Sequence, residues 1–211
     1  MMQWNWDAQK TARWLTPAPE MAYLAERWRD LGFHTLLDSG CGPGRHAVYF
    51  AKKGFAVTGL DQSPEALQYL TDWARREAVP VTAKRGDLGS LPFGDGRFDC
   101  VVDYNASYHT DTAGYRRAVA ELRRVLRPGG EVFLTLLSQR DEQYQNAVPE
   151  DRLDRFTLRH AGGTSHFYGG REELEDIFTG FELALPPREV IAPGLDNPTE
   201  SIHFHLLLRK S

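Results

Sequence analysis

The glycine-rich turn after the first apolar stretch constrains this chain more than any other feature. An apolar run at Leu36 and Leu37 reaches Asp38, and glycines then follow at alternate positions, Gly40, Gly42 and Gly44. Apolar residues spaced three apart predict a helix over 45–53. Glycine adopts positive φ freely and carries no Cβ, so the backbone of such a turn can pass close beneath a ligand. The stretch therefore predicts a strand, a turn and a helix that form the floor of a nucleoside site in an α/β sheet.

Composition limits the class of protein. The 211 residues suit one domain with a small cap, and 41% hydrophobic with 26% charged residues is typical of a globular chain. A net charge of −4 gives no overall attraction to nucleic acid or to an anionic membrane. The two cysteines lack disulfide or metal-ligand spacing, no apolar run approaches the roughly 20 residues that span a bilayer, and no signal-peptide pattern is present. We expect a soluble, cytoplasmic protein.

Strand and helix signals alternate along most of the chain. Predicted strands lie at 34–38, 55–61, 79–85, 98–103 and 131–137. Each is reached from the last through a helix or a loop, and the crossovers are expected to be right-handed. This alternation predicts an α/β fold in which a doubly wound parallel sheet lies between two layers of helices.

Four segments organise the chain around this sheet. Residues 1–32 predict two helices, broken at 16–19, that pack on the sheet or close over a ligand as a lid. Residues 33–138 form the core. Residues 139–170 are a polar insertion, expected to form a cap. Residues 171–211 predict a helix and two strands, 181–191 and 201–209, that complete the sheet.

Five landmarks in this order resemble the class I S-adenosylmethionine-dependent methyltransferases, over roughly residues 33–138. They are the acidic glycine turn, Asp61 at the end of the second strand, and the segments Gly86–Phe93, Phe98–Val101 and Leu126–Gly130. The resemblance implies a mostly parallel seven-strand sheet with an antiparallel last strand and a small cap. It also implies S-adenosylmethionine as the cofactor, with S-adenosylhomocysteine as product.

The resemblance also implies which residues bind the cofactor. The glycine turn with Asp38 would lie along the methionine part and the ribose, Asp61 would accept hydrogen bonds from the ribose hydroxyls, and Asp87 would bind the adenine amino group beside Leu88. Loop or cap roles are the alternative for these aspartates. The cofactor-binding candidates are Asp38, Gly40, Gly42, Gly44, Asp61, Gln62, Asp87, Leu88 and Tyr104.

The catalytic candidates follow the fourth strand. Ligands of such sheets bind at the carboxyl ends of the strands, which would bring the segment after Asp103 near the methyl group. His109 is the candidate base or acceptor-orienting group, with capping or packing as the alternative, and Tyr108 and Asp103 complete the set. A base is needed only where the acceptor is protonated at the working pH.

The insertion leaves the fifth strand at the same edge, so its side chains would roof an acceptor pocket, with solvated loop roles as the alternative. The substrate-binding candidates are Asn105, His160, His166, Tyr168 and Glu200, with Arg159, Phe167 and His203 nearby. No metal is expected, because the seven histidines lack metal-ligand spacing.

The acceptor is expected to be a small molecule, and the protein a monomer or a homodimer. Residues 103–106 depart from the Asp/Asn-Pro-Pro-aromatic signature of methyltransferases that act on amino groups of DNA bases, so no nucleic-acid partner is expected, and no membrane. One alternative is a non-catalytic S-adenosylmethionine-binding module. Another is an NAD-dependent oxidoreductase, because residues 42–47 fit G-x-G-x-x-A with Asp61 about 20 residues on. That alternative leaves Asp38 and Gly40 unexplained.

Overall fold

The computed structural model describes residues 12–160, 163–170, 174–193 and 200–211. The helices are α1 (Ala12–Leu15), α2 (Glu20–Asp30), α3 (Arg45–Lys52), α4 (Pro64–Arg76), α5 (Thr112–Val125), α6 (Glu142–Gln145) and α7 (Leu174–Ile177). The strands are β1 (Thr35–Ser39), β2 (Ala56–Asp61), β3 (Val81–Arg85), β4 (Phe98–Asp103), β5 (Leu126–Ser138), β6 (Thr157–Arg159), β7 (Ser165–Gly169), β8 (Phe181–Leu183), β9 (Arg188–Pro193) and β10 (Glu200–Lys210).

Seven strands form the main path of the sheet, in the order β3-β2-β1-β4-β5-β10-β8. Strands β1 to β5 are mutually parallel, and β10 runs antiparallel to both β5 and β8. The predicted sheet, mostly parallel with its last strand antiparallel, is confirmed. The carboxyl ends of β1, β2 and β4 therefore lie at one edge, together with the end of β5 and the start of β10.

Two apolar clusters lie on opposite faces of this sheet. Leu37 and Val101 face α5, whereas their neighbours Leu36 and Cys100 face α2, α3 and α4. Successive residues of a strand point to opposite faces, so the strands covered on both sides are apolar throughout. This arrangement confirms the three-layer, doubly wound architecture.

A buried ionic network fixes α2 to the sheet. Glu131 of β5 is fully buried and accepts hydrogen bonds from Arg27 at 2.7 and 2.9 Å, from Trp28 Nε1 at 3.0 Å and from Arg209 at 2.9 Å. Burial raises the pKa of Glu131, but the hydrogen bonds from Arg27 and Arg209 outweigh it and hold the pKa below its usual value. A buried carboxylate is stable only when it is paired in this way.

Some predicted boundaries were wrong. The single strand predicted over 181–191 is two strands, β8 and β9, because Pro186 and Pro187 between them cannot donate ladder hydrogen bonds. Strand β5 begins at Leu126 rather than at 131, so Pro128 and the two following glycines lie inside it. Parts of three predicted segments lie outside the described residues. They are residues 3–11 of the first helix, residues 171–173 of the C-terminal helix, and residues 194–199 of the turn between the last two strands.

The insertion over 139–170 is joined to the sheet. Its hairpin, β6 and β7, pairs in parallel with the end of β5, where Leu137 is in register with Tyr168. Asp141, one residue before α6, accepts a hydrogen bond from the backbone N–H of Ile202 in β10 at 2.9 Å. Among the described residues, no helix is long and apolar enough to cross a membrane.

Candidate functional site

The glycine turn links β1 to α3 with three left-handed residues, at φ +70° for Gly40, +52° for Gly42 and +96° for Gly44. A Cβ on Gly40 would overlap the Cβ of Ala106, which lies in the loop after β4. Two loops at the carboxyl edge thus touch at a position that only glycine fits. Gly44 is also the N-cap of α3, and no side chain of the described residues caps this helix.

Asp38 of β1 leaves a buried polar atom without a partner. Its side chain is 2% exposed, and its Oδ2 accepts no hydrogen bond from any described residue. Burial raises the pKa of Asp38 to about 7, assisted by the nearby Asp61 and Asp103 carboxylates. Because buried polar groups are normally hydrogen-bonded, this oxygen fits a polar group of a ligand in the turn.

Asp61, the last residue of β2, braces the turn. Its Oδ2 accepts from the Gly42 N–H and its Oδ1 from the Ser63 N–H, each at 2.9 Å. Burial raises the pKa of this carboxyl against the effect of those hydrogen bonds. Each carboxylate oxygen retains a further lone pair, so the group can also accept from the hydroxyls of a ribose.

The next two candidates lie beside Asp61. Gln62 Nε2 donates to Asp87 Oδ2 at 3.0 Å, and Asp87 Oδ1 accepts from the Gly89 N–H at 2.7 Å. Leu88 packs against the apolar cluster on the α5 face. Asp38 and Asp61 thus lie at the carboxyl ends of β1 and β2, and Asp87 lies two residues after β3. The order of these adjacent parallel strands matches that of the predicted methionine, ribose and adenine contacts.

Arg45, which the sequence analysis did not single out, lies beside the candidate site. Its guanidinium carbon lies 5.4 Å from the ring centre of Trp14 in α1 and 5.1 Å from that of Tyr104. A cation in the first turn of a helix is opposed by the helix dipole, and this is the signal that could have identified it. The contact places α1 beside the glycine turn, and Tyr104 between that turn and Phe133, whose ring centre lies 6.4 Å away.

The loop after β4 is held in an unusual conformation. Asn105 has a φ of +53°, its N–H donates to Thr135 Oγ1 at 2.8 Å, and Thr135 Oγ1 donates to its side-chain oxygen at 2.9 Å. Asp103 is fully buried and accepts from the Ser107 N–H at 3.0 Å. Burial raises the pKa of Asp103 to about 6. Non-glycine residues at positive φ concentrate at functional sites.

The structure brings the candidate histidines of two distant segments together. His109 Nδ1 lies 2.9 Å from His166 Nε2, and the ring centres of His166 and His160 are 4.1 Å apart. His160 Nε2 lies 3.1 Å from the hydroxyl of Tyr168. We call these three imidazoles, His109, His160 and His166, the histidine cluster.

The other acceptor-side candidates lie around this cluster. The Tyr108 hydroxyl lies 3.2 Å from Nε2 of His203, and its ring centre is 4.5 Å from that of His109. Phe167 is a core residue stacked on Tyr115, and Arg159 is exposed. Glu200 is exposed at the start of β10, in register with Pro193.

Burial keeps two imidazoles of the histidine cluster, His109 and His166, uncharged. It lowers the pKa of His109 to about 4, and that of His166 to about 2 with a further contribution from the neighbouring imidazoles. Neutral imidazole rings carry one donor and one acceptor nitrogen each. Within the part of the chain that the structure describes, no group of three or more His, Cys, Asp or Glu side chains could hold a metal ion.

Comparison with known proteins gives consistent results. Residues 36–130 match a family model described as a methyltransferase domain. An uncharacterized methyltransferase of Synechocystis is 38% identical over 95 residues, 45% of this chain and 43% of that protein. A malonyl-[acyl-carrier protein] O-methyltransferase of Enterobacter lignolyticus is 36% identical over 155 residues, 72% of this chain and 57% of that protein. The chain thus spans about half the length of these relatives.

Solved structures share the fold. A SAM-dependent methyltransferase from Methanosarcina mazei superposes with a TM-score of 0.77 at 22% identity, over 93% of this chain and 99% of that one. The 1,6-didemethyltoxoflavin-N1-methyltransferase of Burkholderia thailandensis, solved with its substrate and S-adenosylhomocysteine, gives a TM-score of 0.66 at 20% identity, over 92% of this chain and 79% of that one.

Proposed function

We propose that this chain is a class I S-adenosylmethionine-dependent methyltransferase that transfers a methyl group to a small-molecule acceptor, because residues 36–130 match a family model described as a methyltransferase domain. The fold predicted from the sequence is confirmed, and the match over residues 36–130 supports the predicted family and cofactor. The roles of individual residues and the nature of the acceptor are part of the proposal.

The observation that carries the proposal is the row of three carboxylates at adjacent strand ends. Asp38 offers a buried oxygen that has no hydrogen-bond partner among the described residues, and Asp61 has spare lone pairs beside the glycine turn. Asp87 accepts a hydrogen bond from Gln62, the residue that follows Asp61. Such a row suits a ligand with an amino acid end, a ribose and a base. An oxidoreductase site would leave the orphaned oxygen of Asp38 unexplained.

The residues of the chain then have distinct tasks. S-adenosylmethionine, when bound, supplies an electrophilic methyl group on a sulfonium. Tyr104 presents an aromatic face at the carboxyl edge, and such a face attracts cations, as its contact with Arg45 shows. The histidine cluster, with Tyr108, Asn105 and Tyr168, lines the acceptor side and excludes water. Holding the acceptor oxygen or nitrogen in line with the methyl group supplies much of the acceleration of such a displacement.

Relatives support a small-molecule acceptor. Among them are a 2-heptyl-1-hydroxyquinolin-4(1H)-one methyltransferase of Mycobacteroides abscessus, 29% identical, and a 2-methyl-6-phytyl-1,4-hydroquinone methyltransferase of Synechocystis, 38% identical. We propose a cytoplasmic location, supported by two buried unpaired cysteines, Cys41 and Cys100, and no nucleic-acid or membrane partner. A monomer or a homodimer is the proposed assembly.

Calorimetric titration with S-adenosylhomocysteine tests the proposal. We expect the wild-type protein to bind it, and Asp61→Asn to bind about 10- to 100-fold more weakly, since a hydrogen bond to a charged group contributes about 1.5–3 kcal/mol. Asp72→Asn, which alters an exposed carboxylate in α4, is the matched control. A wild-type protein that ignores S-adenosylhomocysteine and binds NAD would refute the proposal. Binding without methyl transfer to any of a panel of small hydroxylated and amino compounds would favour the non-catalytic module.

A further inference from the structure

The imidazoles of His109 and His166 contact each other, and the His109 ring also contacts the backbone carbonyl of Asn105. His109 Nε2 lies 3.2 Å from the carbonyl oxygen of Asn105, and His109 Nδ1 lies 2.9 Å from His166 Nε2. Asn105 is itself fixed by its two hydrogen bonds with Thr135. The contacts therefore form a short hydrogen-bonded series that starts at the loop after β4 and ends at the half-buried ring of His166.

Only one arrangement of protons satisfies this hydrogen-bonded series when both rings are neutral. A carbonyl oxygen only accepts, so His109 Nε2 must carry the hydrogen, and the lone pair of the ring is then on Nδ1. His166 Nε2 must donate to that lone pair. The lone pair of His166 is consequently on Nδ1, which accepts no hydrogen bond from any described residue.

The sequence predicts His109 as the candidate base and His166 as a substrate-binding residue, and this assignment of protons exchanges those two roles. Both nitrogens of His109 are engaged by the protein itself, so its lone pair does not point to an acceptor. We propose that His166 Nδ1 accepts the hydrogen bond of an acceptor hydroxyl group, and that His109 is the positioning residue that fixes this atom. The proposal rests on the methyltransferase function proposed above and names the acceptor class of the same site.

The chemistry of the step favours a hydroxyl over an amine. As the oxygen lone pair forms the bond to the methyl carbon, the sulfur–carbon bond breaks with its electrons remaining on sulfur, and the O–H proton passes to His166 Nδ1. An oxygen that bears both the new methyl group and that proton is a much stronger acid than an imidazolium, so even a weak base takes the proton. A methylated aliphatic amine is a weaker acid than an imidazolium, with a pKa near 10, and would keep its proton.

The surroundings of His166 support this use. The ring centre of His160 lies 4.1 Å from that of His166, and the ring centre of Tyr108 lies 6.1 Å away, edge to face, so aromatic rings pack around the His166 imidazole. Burial and the neighbouring imidazoles lower the pKa of His166, which keeps its lone pair available across the physiological range. An aromatic hydroxyl compound, such as a phenol, fits this setting best.

Imidazole 15N NMR of the full chain, saturated with S-adenosylhomocysteine, tests the proposal without turnover. His109→Gln and His166→Gln assign the two rings, and His34→Gln, an exposed histidine, is the control. We expect both rings to carry hydrogen on Nε2. Phenol should shift the His166 Nδ1 resonance, whereas anisole, which has the same ring without the hydroxyl, should not. In His109→Gln, His166 should lose its single tautomer.

Two results would overturn this inference while leaving the proposed function intact. One is a His166 ring with hydrogen on Nδ1 in a protein that binds S-adenosylhomocysteine. The other is a His166 Nδ1 resonance that phenol leaves unchanged or that anisole shifts equally. Failure to bind S-adenosylhomocysteine at all would instead contradict the proposed function.

Discussion

Acid should weaken this fold through the buried imidazoles of His109 and His166, and replacing His166 should remove a measurable part of that effect. An unfolded histidine titrates near pH 6.5, whereas His166 in the folded chain has a pKa of about 2. Below pH 6.5 the unfolded chain therefore binds a proton that the folded chain does not. The contribution of this group to stability is fully present above pH 6.5 and is lost progressively as the pH falls towards 2.

The size of the effect follows from the two pKa values. Each pH unit between them changes the free energy of unfolding by about 1.4 kcal/mol for one group. Lowering the pH from 7.5 to 5 crosses about 1.5 of those units, so His166 alone should contribute a loss of about 2 kcal/mol. A typical domain is stable by only about 5–15 kcal/mol, so the loss is readily measured.

Urea unfolding of the wild-type protein and of His166→Gln, at pH 7.5 and at pH 5, measures this contribution. Other buried groups also titrate, including Asp38, Asp103 and His46, but their effects are shared by both proteins and cancel in the comparison. We expect His166→Gln to lose about 2 kcal/mol less than wild type over this range. His34→Gln, which replaces an exposed histidine, should lose as much as wild type. Equal losses in all three proteins would refute the reasoning.

The remaining predictions concern the glycine turn and the buried carboxylate. Gly40→Ala and Gly32→Ala both place a Cβ at φ +70°, which costs about 1–2 kcal/mol, but only the first would overlap a neighbour, Ala106. We expect both to lower the melting temperature, and Gly40→Ala alone to lower affinity for S-adenosylhomocysteine in calorimetry; equal affinities would contradict the turn's role. Glu131→Gln should cost about 3 kcal/mol or more in urea unfolding, because it leaves two arginines around a neutral amide. The exposed Glu182→Gln is its control, and a similar cost for both would disprove the importance of the network.

The fold was predictable because its signals are local. Alternating apolar strands and helices predicted the parallel sheet, which the structure confirms. The glycine turn and the acidic residues at strand ends indicated which edge of the sheet is the candidate cofactor site. The break between β8 and β9 also had a local signal, the two prolines at 186 and 187, which the sequence reading missed. The start of β5 was harder to predict, because Pro128 and the two glycines have the composition of a turn, whereas Gly130 lies against the Asp99 carbonyl of β4 at a shift in the strand register.

The acceptor side was only partly predictable. The sequence indicated that His109 and His166 lie at one edge, but their direct contact joins residues 57 positions apart and depends on where the β6–β7 hairpin docks. The tautomers depend in turn on the carbonyl of Asn105, whose backbone conformation no sequence pattern marked. Arg45 had a local signal, its position in the first turn of α3, but its contact with Trp14 of α1 could not be predicted from the sequence.

The pairing of β7 with β5 has a consequence for any attempt to change what this protein accepts. The insertion is an extension of the central sheet, held by main-chain hydrogen bonds at Leu137 and Ser138. Grafting residues 139–170 from a relative would therefore disturb the strand that carries Thr135 and supports the candidate site. Redesign by exchange of single side chains on the hairpin leaves that scaffold untouched, and should be the more productive route to new acceptors.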